Sequence, residues 1–172
     1  MAAKAVFGIA KSEEQATRIV NALKEAGFSN DDVSVLLPDR AGSRDFAHEH
    51  HTKAPEGAAA GAVAGGVTAG VLGWLVGIGT IAIPGVGPLI AAGPIMAALS
   101  GAAAGGAVGT LAGALVGMGI PEYEAKQYEG KVKNGNILIS VHTEESKERK
   151  IAKEIFDRAH AEDVSSTGEA RV

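Results

Sequence analysis

The stretch from residue 57 to residue 120 constrains the fold most, because it contains no Asp, Glu, Lys, Arg or His. Glu56 and Glu122 flank it. An uncharged segment of this length must be hidden from water, either in lipid or against protein. Within it, small residues recur four positions apart, so they share one face of a helix. These two glycine series are Gly57, Gly61, Gly65, Ala69, Gly73 and Gly77, followed by Gly101, Gly105, Gly109, Gly113 and Gly117.

The glycine series predict closely packed helices. Glycine inside a helix costs about 1 kcal/mol relative to alanine, so its repetition indicates close contact between helices. We predict helices over residues 57–79 and 95–118, each long enough to span a bilayer at about 20 residues. Because three prolines interrupt residues 80–94, that piece is predicted to be a turn or a re-entrant segment. The whole then forms a helical hairpin, a glycine zipper, with Trp74 as a packing or interface anchor.

Two environments suit such a hairpin. Its helices are rich in Gly and Ala and poor in Leu and Phe, so their transfer into lipid is only modestly favourable. The alternative is an oligomer in which hairpins from several chains bury one another. The partners that we expect are therefore further copies of this chain and membrane lipid. The expected location is the cytoplasmic side of the inner membrane, or the cytoplasm for a soluble assembly, and the absence of cysteine fits a reducing compartment.

The charged segment before residue 57 is predicted to form a strand, a helix and a second strand. Residues 5–10 alternate as a strand, and Ser12 with Gln15 forms a capping box that begins a helix. Gly27 ends that helix in a left-handed conformation. Residues 33–37 form the second strand.

The charged segment after the insert repeats this pattern. Pro121 begins a helix that ends near Lys133, and residues 136–142 alternate as a strand. Thr143 is predicted to cap a helix over residues 144–160, which a short last strand through Val164 follows.

Two strand–helix–strand units predict an α+β fold, the ferredoxin-like sandwich, with a four-stranded antiparallel sheet and helices on one face. A hairpin returns to its own side, so the two halves can meet and fold together. The predicted organisation places the halves of this domain at residues 1–38 and 121–166. Residues 39–56 form a linker, residues 57–120 the inserted hairpin and residues 167–172 a flexible tail.

Residues 119–141, GIPEYEAKQYEGKVKNGNILISV, carry a family resemblance. They resemble the signature G-[VI]-P-x-x-x-A-x-x-Y-E…G-x-x-L-[VI]-x-V of small bacterial general stress proteins, also described as heat-induced stress proteins. Members of that group often carry a Gly/Ala-rich insert before the motif. The resemblance implies a bacterial stress-associated protein, and it implies no catalytic residues.

Few residues point to chemistry. A net charge of −4 argues against a nucleic-acid binder, and no phosphate-binding loop or nucleophile elbow is present. His48, His50 and His51 could bind Zn²⁺ or Cu²⁺. No cysteine and no second ligand cluster accompany them, so a polar loop is the preferred interpretation. We predict no active site, no metal and no cofactor.

Two functional hypotheses follow. The first is a non-enzymatic stress-associated protein that self-assembles or associates with a membrane through the glycine-zipper hairpin and displays a ferredoxin-like domain. The second is a binding module in which the folded domain senses a small molecule or a partner and the hairpin anchors it. The sequence does not identify a ligand.

Overall fold

A computed structural model describes residues 4–38, 79–83, 87–93, 95 and 111–166. Its elements in chain order are β1 (Lys4–Ala10), α1 (Glu13–Glu25), β2 (Val33–Pro38), β3 (Gly79–Ile83), β4 (Gly87–Ala92), α2 (Leu111–Gly117), α3 (Glu122–Lys133), β5 (Ile137–Thr143), α4 (Ser146–Arg158) and β6 (Glu162–Ser166). The fold is α+β, as predicted.

All six strands belong to one antiparallel sheet with the order β3-β4-β2-β5-β1-β6. β1 and β5 pair along their whole length, from Lys4 opposite Thr143 to Ala10 opposite Ile137. The two charged segments therefore build one sheet together, which confirms that prediction. The predicted number of four strands is wrong, because β3 and β4 extend the sheet beyond β2.

The prediction of a turn or a re-entrant segment over residues 80–94 did not include strands, and residues 80–83 and 87–92 belong to the β3–β4 hairpin. A short apolar run does not distinguish a strand from other buried structure by its periodicity. Pro88 is compatible with β4 because the pairing with β2 begins one residue later, at Leu89. The missing N–H of Pro88 thus falls outside the β2 ladder. Gly79, which was predicted to end a helix, begins β3.

Helices cover both faces of the sheet, so the prediction of helices on one face is wrong. Alternate strand residues point to opposite faces, and both sets are buried here. On one face α1 and α4 pack against the strands, with Leu23 and Phe156 in the core. On the other face α2 and α3 do so, with Leu115 and Tyr128 in the core. The near-continuous apolar runs of β2 and β5 are typical of strands that are buried on both faces.

The helix ends follow local capping chemistry. Ser12 caps α1, accepting a hydrogen bond from the backbone N–H of Gln15 at 3.1 Å. Gly27 has a φ of +99°, as the left-handed helix end requires. For α4 the prediction that Thr143 is the cap is wrong. That residue ends β5, and Glu145 forms a capping box with Glu148.

The described parts of the 57–120 segment are attached to the domain. Gly93 follows β4 with a φ of +86°, and the backbone N–H of Ile95 donates to Ser34 Oγ at 3.1 Å. At the other end, Glu129 Oε2 accepts a hydrogen bond from the backbone N–H of Ala112 at 2.6 Å. The domain boundaries at residues 57 and 120 stay a prediction. Residues 87–95 and 111–120 nevertheless contribute to the same core as α3.

The predicted helical hairpin lies mostly outside the described residues. Of the described residues, Ile95 and α2 fall within its second helix. Within the residues that the structure describes, no helix combines the length and the apolar character needed to cross a bilayer.

The attachment of β4 can be tested with two glycines of positive φ. A Cβ at Gly93 would lie 2.2 Å from the carbonyl oxygen of Val33, whereas nothing lies within 4 Å of one at Gly27. Gly27→Ala should cost about 1–2 kcal/mol from backbone strain alone. Gly93→Ala should cost about 1–3 kcal/mol more because it also overpacks. Urea unfolding measures both, and equal costs would contradict the seating of β4 against β2.

A deletion tests how far the insert belongs to the core. Joining Pro38 to Pro121 through a short flexible linker removes β3, β4 and α2. We expect the cooperative unfolding transition to be lost, because the core around Phe7, Leu36 and Leu138 loses the buried residues of β4 and α2 and keeps only α3 as its cover.

Circular dichroism during heating measures the transition. The control deletes only residues 40–55 and should unfold cooperatively, because loop closure depends weakly on length. A cooperative transition of the Pro38–Pro121 variant near the wild-type temperature would show instead that the insert is a separable unit.

Candidate functional site

The most concentrated group of polar contacts joins α3 to β6, which is an edge strand of the described sheet. Its members come from the β1–α1 turn, one side of α3 and the length of β6. We call it the α3–β6 cluster. It consists of Lys11, Glu124, Gln127, Tyr128, Lys131, Glu162, Asp163 and Ser165.

Lys131 is the centre of this cluster. Its Nζ lies 2.6 Å from Glu162 Oε2 and 2.6 Å from Asp163 Oδ2, while Lys11 Nζ lies 2.6 Å from Glu162 Oε1. Hydrogen bonds from Lys11 and Lys131 hold the pKa of Glu162 below its ordinary value. Asp163 and Glu162 in turn raise the pKa of Lys131. Lys131 and Glu162 therefore favour each other's charged form.

Tyr128 connects the cluster to the hydrophobic core. The residue is only 1% exposed, and its ring packs near Phe7 with centroids 6.2 Å apart. Its hydroxyl donates a hydrogen bond to the backbone carbonyl of Asp163 at 2.6 Å. Burial is the main cause that raises the pKa of Tyr128 well above its ordinary value. The phenol therefore stays protonated at neutral pH and acts as a donor.

Asp163 adopts a left-handed backbone conformation with a φ of 51°. It follows Glu162 at an irregularity in β6, where the pairing with β1 shifts between Phe7 and Ile9. Gln127 Nε2 donates to Asp163 Oδ1 at 3.1 Å, so α3 contacts both the side chain and the carbonyl of Asp163. Aspartate tolerates this conformation better than most residues.

The chemistry of the cluster is that of a structural junction. Its carboxylates are paired with lysines or hydroxyls, and Ser165 Oγ donates to Glu124 Oε2 at 2.6 Å. The sequence patterns did not indicate this cluster. The available signal was the acidic pair Glu162–Asp163 at the start of an edge strand, where charged side chains commonly prevent pairing with another chain.

The predicted helix-packing residues fall mostly outside the described residues. This applies to Trp74 and to Gly57, Gly61, Gly65, Gly73, Gly77, Gly101, Gly105 and Gly109. Gly113 and Gly117 lie in α2. These two glycines are not members of the α3–β6 cluster.

The glycines of α2 lie opposite its buried face. The residues that α2 buries against the domain are Leu111, Ala112, Ala114 and Leu115. At 100° per residue, Gly113 and Gly117 fall on the other side of the helix. Gly113 is half-buried, Gly117 is exposed and the neighbouring Val116 is 42% exposed. A Cβ at Gly117 would meet nothing within 4 Å among the described residues.

The histidines proposed as possible metal ligands, His48, His50 and His51, also lie outside the described residues. Among the residues that are described, no group of three or more His, Cys, Asp or Glu side chains could hold a metal ion.

Comparisons of this chain with known protein families, with characterised proteins and with solved structures gave no match. The resemblance of residues 119–141 to bacterial general stress proteins therefore stays a prediction.

The charge pairs of the cluster predict a specific pH dependence. Because the pKa of Glu162 is lowered on folding, its stabilising contribution is present above its ordinary pKa of 4.5 and is lost as the pH falls below it. Lys131→Met removes one partner of Glu162. The melting temperature of this variant should therefore fall less steeply than that of the wild type on acidification below about pH 4.5.

The raised pKa of Lys131 predicts a loss of stability at alkaline pH. Its contribution is present below its ordinary pKa of 10.5 and is lost as the pH rises past it. Lys133→Met is the control, because Lys133 lies exposed on the same helix and is not a member of the α3–β6 cluster. Parallel melting curves for Lys131→Met and the wild type across both limits would contradict this role of Lys131.

Proposed function

We propose that this chain is a non-enzymatic, bacterial stress-associated protein that assembles with further copies of itself through its glycine series. One observation carries the proposal. The glycines that α2 contributes to the second series lie on the helix face opposite its buried residues. Val116 and Gly117 on that side of α2 are exposed among the described residues, so this part of the helix surface is open to a contact with another chain.

The position of Gly117 supports a role in packing. Glycine in a helix costs about 1 kcal/mol relative to alanine, and a Cβ at Gly117 would have open space around it. Helix termination does not require it, because Gly119 supplies the left-handed residue with a φ of +96°. A close helix–helix contact outside this domain gives a reason for glycine at this position.

The β3–β4 hairpin supports the pairing of the two glycine series. Its register places Gly79 opposite Ala91, at the end of the sheet where β3 begins and β4 ends. The first series ends at Gly77, two residues before β3, and the second series follows β4. The chain therefore enters β3 and leaves β4 at the same end of the sheet. An antiparallel hairpin of helices, as the sequence predicts, is compatible with this attachment.

We interpret β1, α1, β2, β5, α4 and β6 as a ferredoxin-like domain. Their strand order, β2-β5-β1-β6, fits two split βαβ units, and β3 and β4 add to the β2 edge. The stress association rests on the resemblance of residues 119–141, which form α3 and most of β5. Membrane lipid is the other partner that the uncharged segment fits. The corresponding locations are the cytoplasmic side of the inner membrane and the cytoplasm.

A pair of helix glycines tests self-assembly without disturbing the domain. Gly117→Leu places a side chain on the proposed contact face, and it should lower the assembly mass because it forces the helices apart. Gly130→Leu is the matched control. Gly130 lies in α3, outside both series, and a Cβ there also meets nothing within 4 Å of it.

Light scattering measures the mass in buffer, and the same comparison is made in detergent for material that fractionates with membranes. Both variants should keep the monomer's unfolding transition. Retention of the wild-type mass by Gly117→Leu, or an equal loss in both variants, would contradict assembly through the glycine series.

A further inference from the structure

The C-terminal strand β6 is weakly attached to the sheet. It is an edge strand, its only neighbour in the described sheet is β1, and all five of its residues are half-buried. Its pairing with β1 comprises three register pairs and a shift between them. Val164 packs against the core, and the α3–β6 cluster supplies most other attachments. Polar contacts of this kind can break and form again without exposing a large apolar surface.

The connection that carries the chain from α4 to β6 is short and strained. Only residues 159–161 separate the two elements. His160 lies in the left-handed region with a φ of 60°, which is costly for a residue with a Cβ. Gln15 Nε2 donates to the carbonyls of Ala159 at 2.8 Å and His160 at 2.9 Å, and so holds the turn closed. A short hinge under strain favours exchange of the element that follows it.

We propose that β6 is exchanged between two copies of this chain. In the exchanged dimer, residues 159–161 extend, and β6 of each copy pairs with β1 and α3 of the other. Every contact of the α3–β6 cluster then forms between the copies instead of within one. The second copy is the natural occupant, because its β6 carries the complementary residues, including the Glu162 and Asp163 that Lys131 binds.

The exchange does not depend on the glycine series. It uses only β1, α3, α4 and β6, and opening the hinge removes the left-handed conformation at His160. It also replaces intramolecular contacts with identical intermolecular ones, so the two states differ mainly in hinge strain and in the entropy of association. Concentrated protein that is refolded should therefore contain the exchanged dimer.

Charge reversal across the cluster tests the proposal. Lys131→Glu brings a new carboxylate against the carboxylate of Glu162, and Glu162→Lys places two ammonium groups together, so each variant alone has a repulsive junction. In a mixed exchanged dimer, one junction is the native Lys131–Glu162 pair and the other is its reversed counterpart. Native mass spectrometry after co-refolding should show the mixed dimer above its statistical share.

The matched control reverses the Glu122–Lys126 pair, whose two members both lie in α3. Exchange of β6 cannot bring these residues from different chains together, so Glu122→Lys and Lys126→Glu should form mixed dimers only at the statistical share. This control also separates exchange from assembly through the glycine series, which would mix both pairs of variants statistically. A statistical share for the Lys131 and Glu162 variants, or no mixed dimer, overturns the proposal.

A second measurement uses the wild-type sequence and does not depend on the folding of any variant. Unlabelled chains and chains labelled with heavy nitrogen are refolded together at high concentration. A carbodiimide then joins Lys11 to Glu162, whose charged atoms lie 2.6 Å apart. Cross-linked peptides that combine both isotopes are expected from exchange, and cross-links within single isotopes alone overturn it. His160→Gly, which relieves the hinge, should lower the fraction of mixed cross-links.

Discussion

The pairing of β1 with β5 is the interaction on which the rest of the structure depends. These two strands form the longest register in the sheet, although more than a hundred residues separate them along the chain. β2 pairs with β5, and β6 with β1, so the other strands attach to this pair directly or through one or two neighbours. Because the two central strands are buried on both faces, they also fix where all four described helices can pack.

The two faces of the sheet differ in the origin of their helices. α1 and α4 each connect two successive strands of one charged segment, so their cover arises from local connections. α2 and α3 lie next to each other in the chain and cover the opposite face, which buries Phe7, Leu36 and Leu138. An insert between β2 and β5 can be long because the entropic cost of closing a loop grows slowly with its length. The fold thus accommodates the glycine series without breaking the β1–β5 register.

Hydrophobic periodicity was sufficient to predict β1, α1, β2, β5 and α4 close to their observed bounds, and Pro121 indicated the start of α3. It failed for β3 and β4, because the short apolar runs around Pro84 and Pro88 carry no alternation that separates strand from turn. It also failed for the second helical layer. The sequence analysis placed helices on one face, and no local rule connects the apolar runs of β2 and β5 to the cover that α3 provides. The α3–β6 cluster was missed because Lys131 and Asp163 meet only through tertiary structure.

Tyr128 provides an ultraviolet absorbance probe of the sheet edge that β6 forms. The chain has two tyrosines, and Tyr123 is 79% exposed whereas Tyr128 is buried with its hydroxyl on the backbone of β6. A phenolate absorbs ultraviolet light differently from a phenol, and the buried ring resists ionisation while the strand covers it. Alkaline titration followed by absorbance therefore reports on the buried phenol of Tyr128. Its ionisation indicates that solvent has reached the space beneath β6.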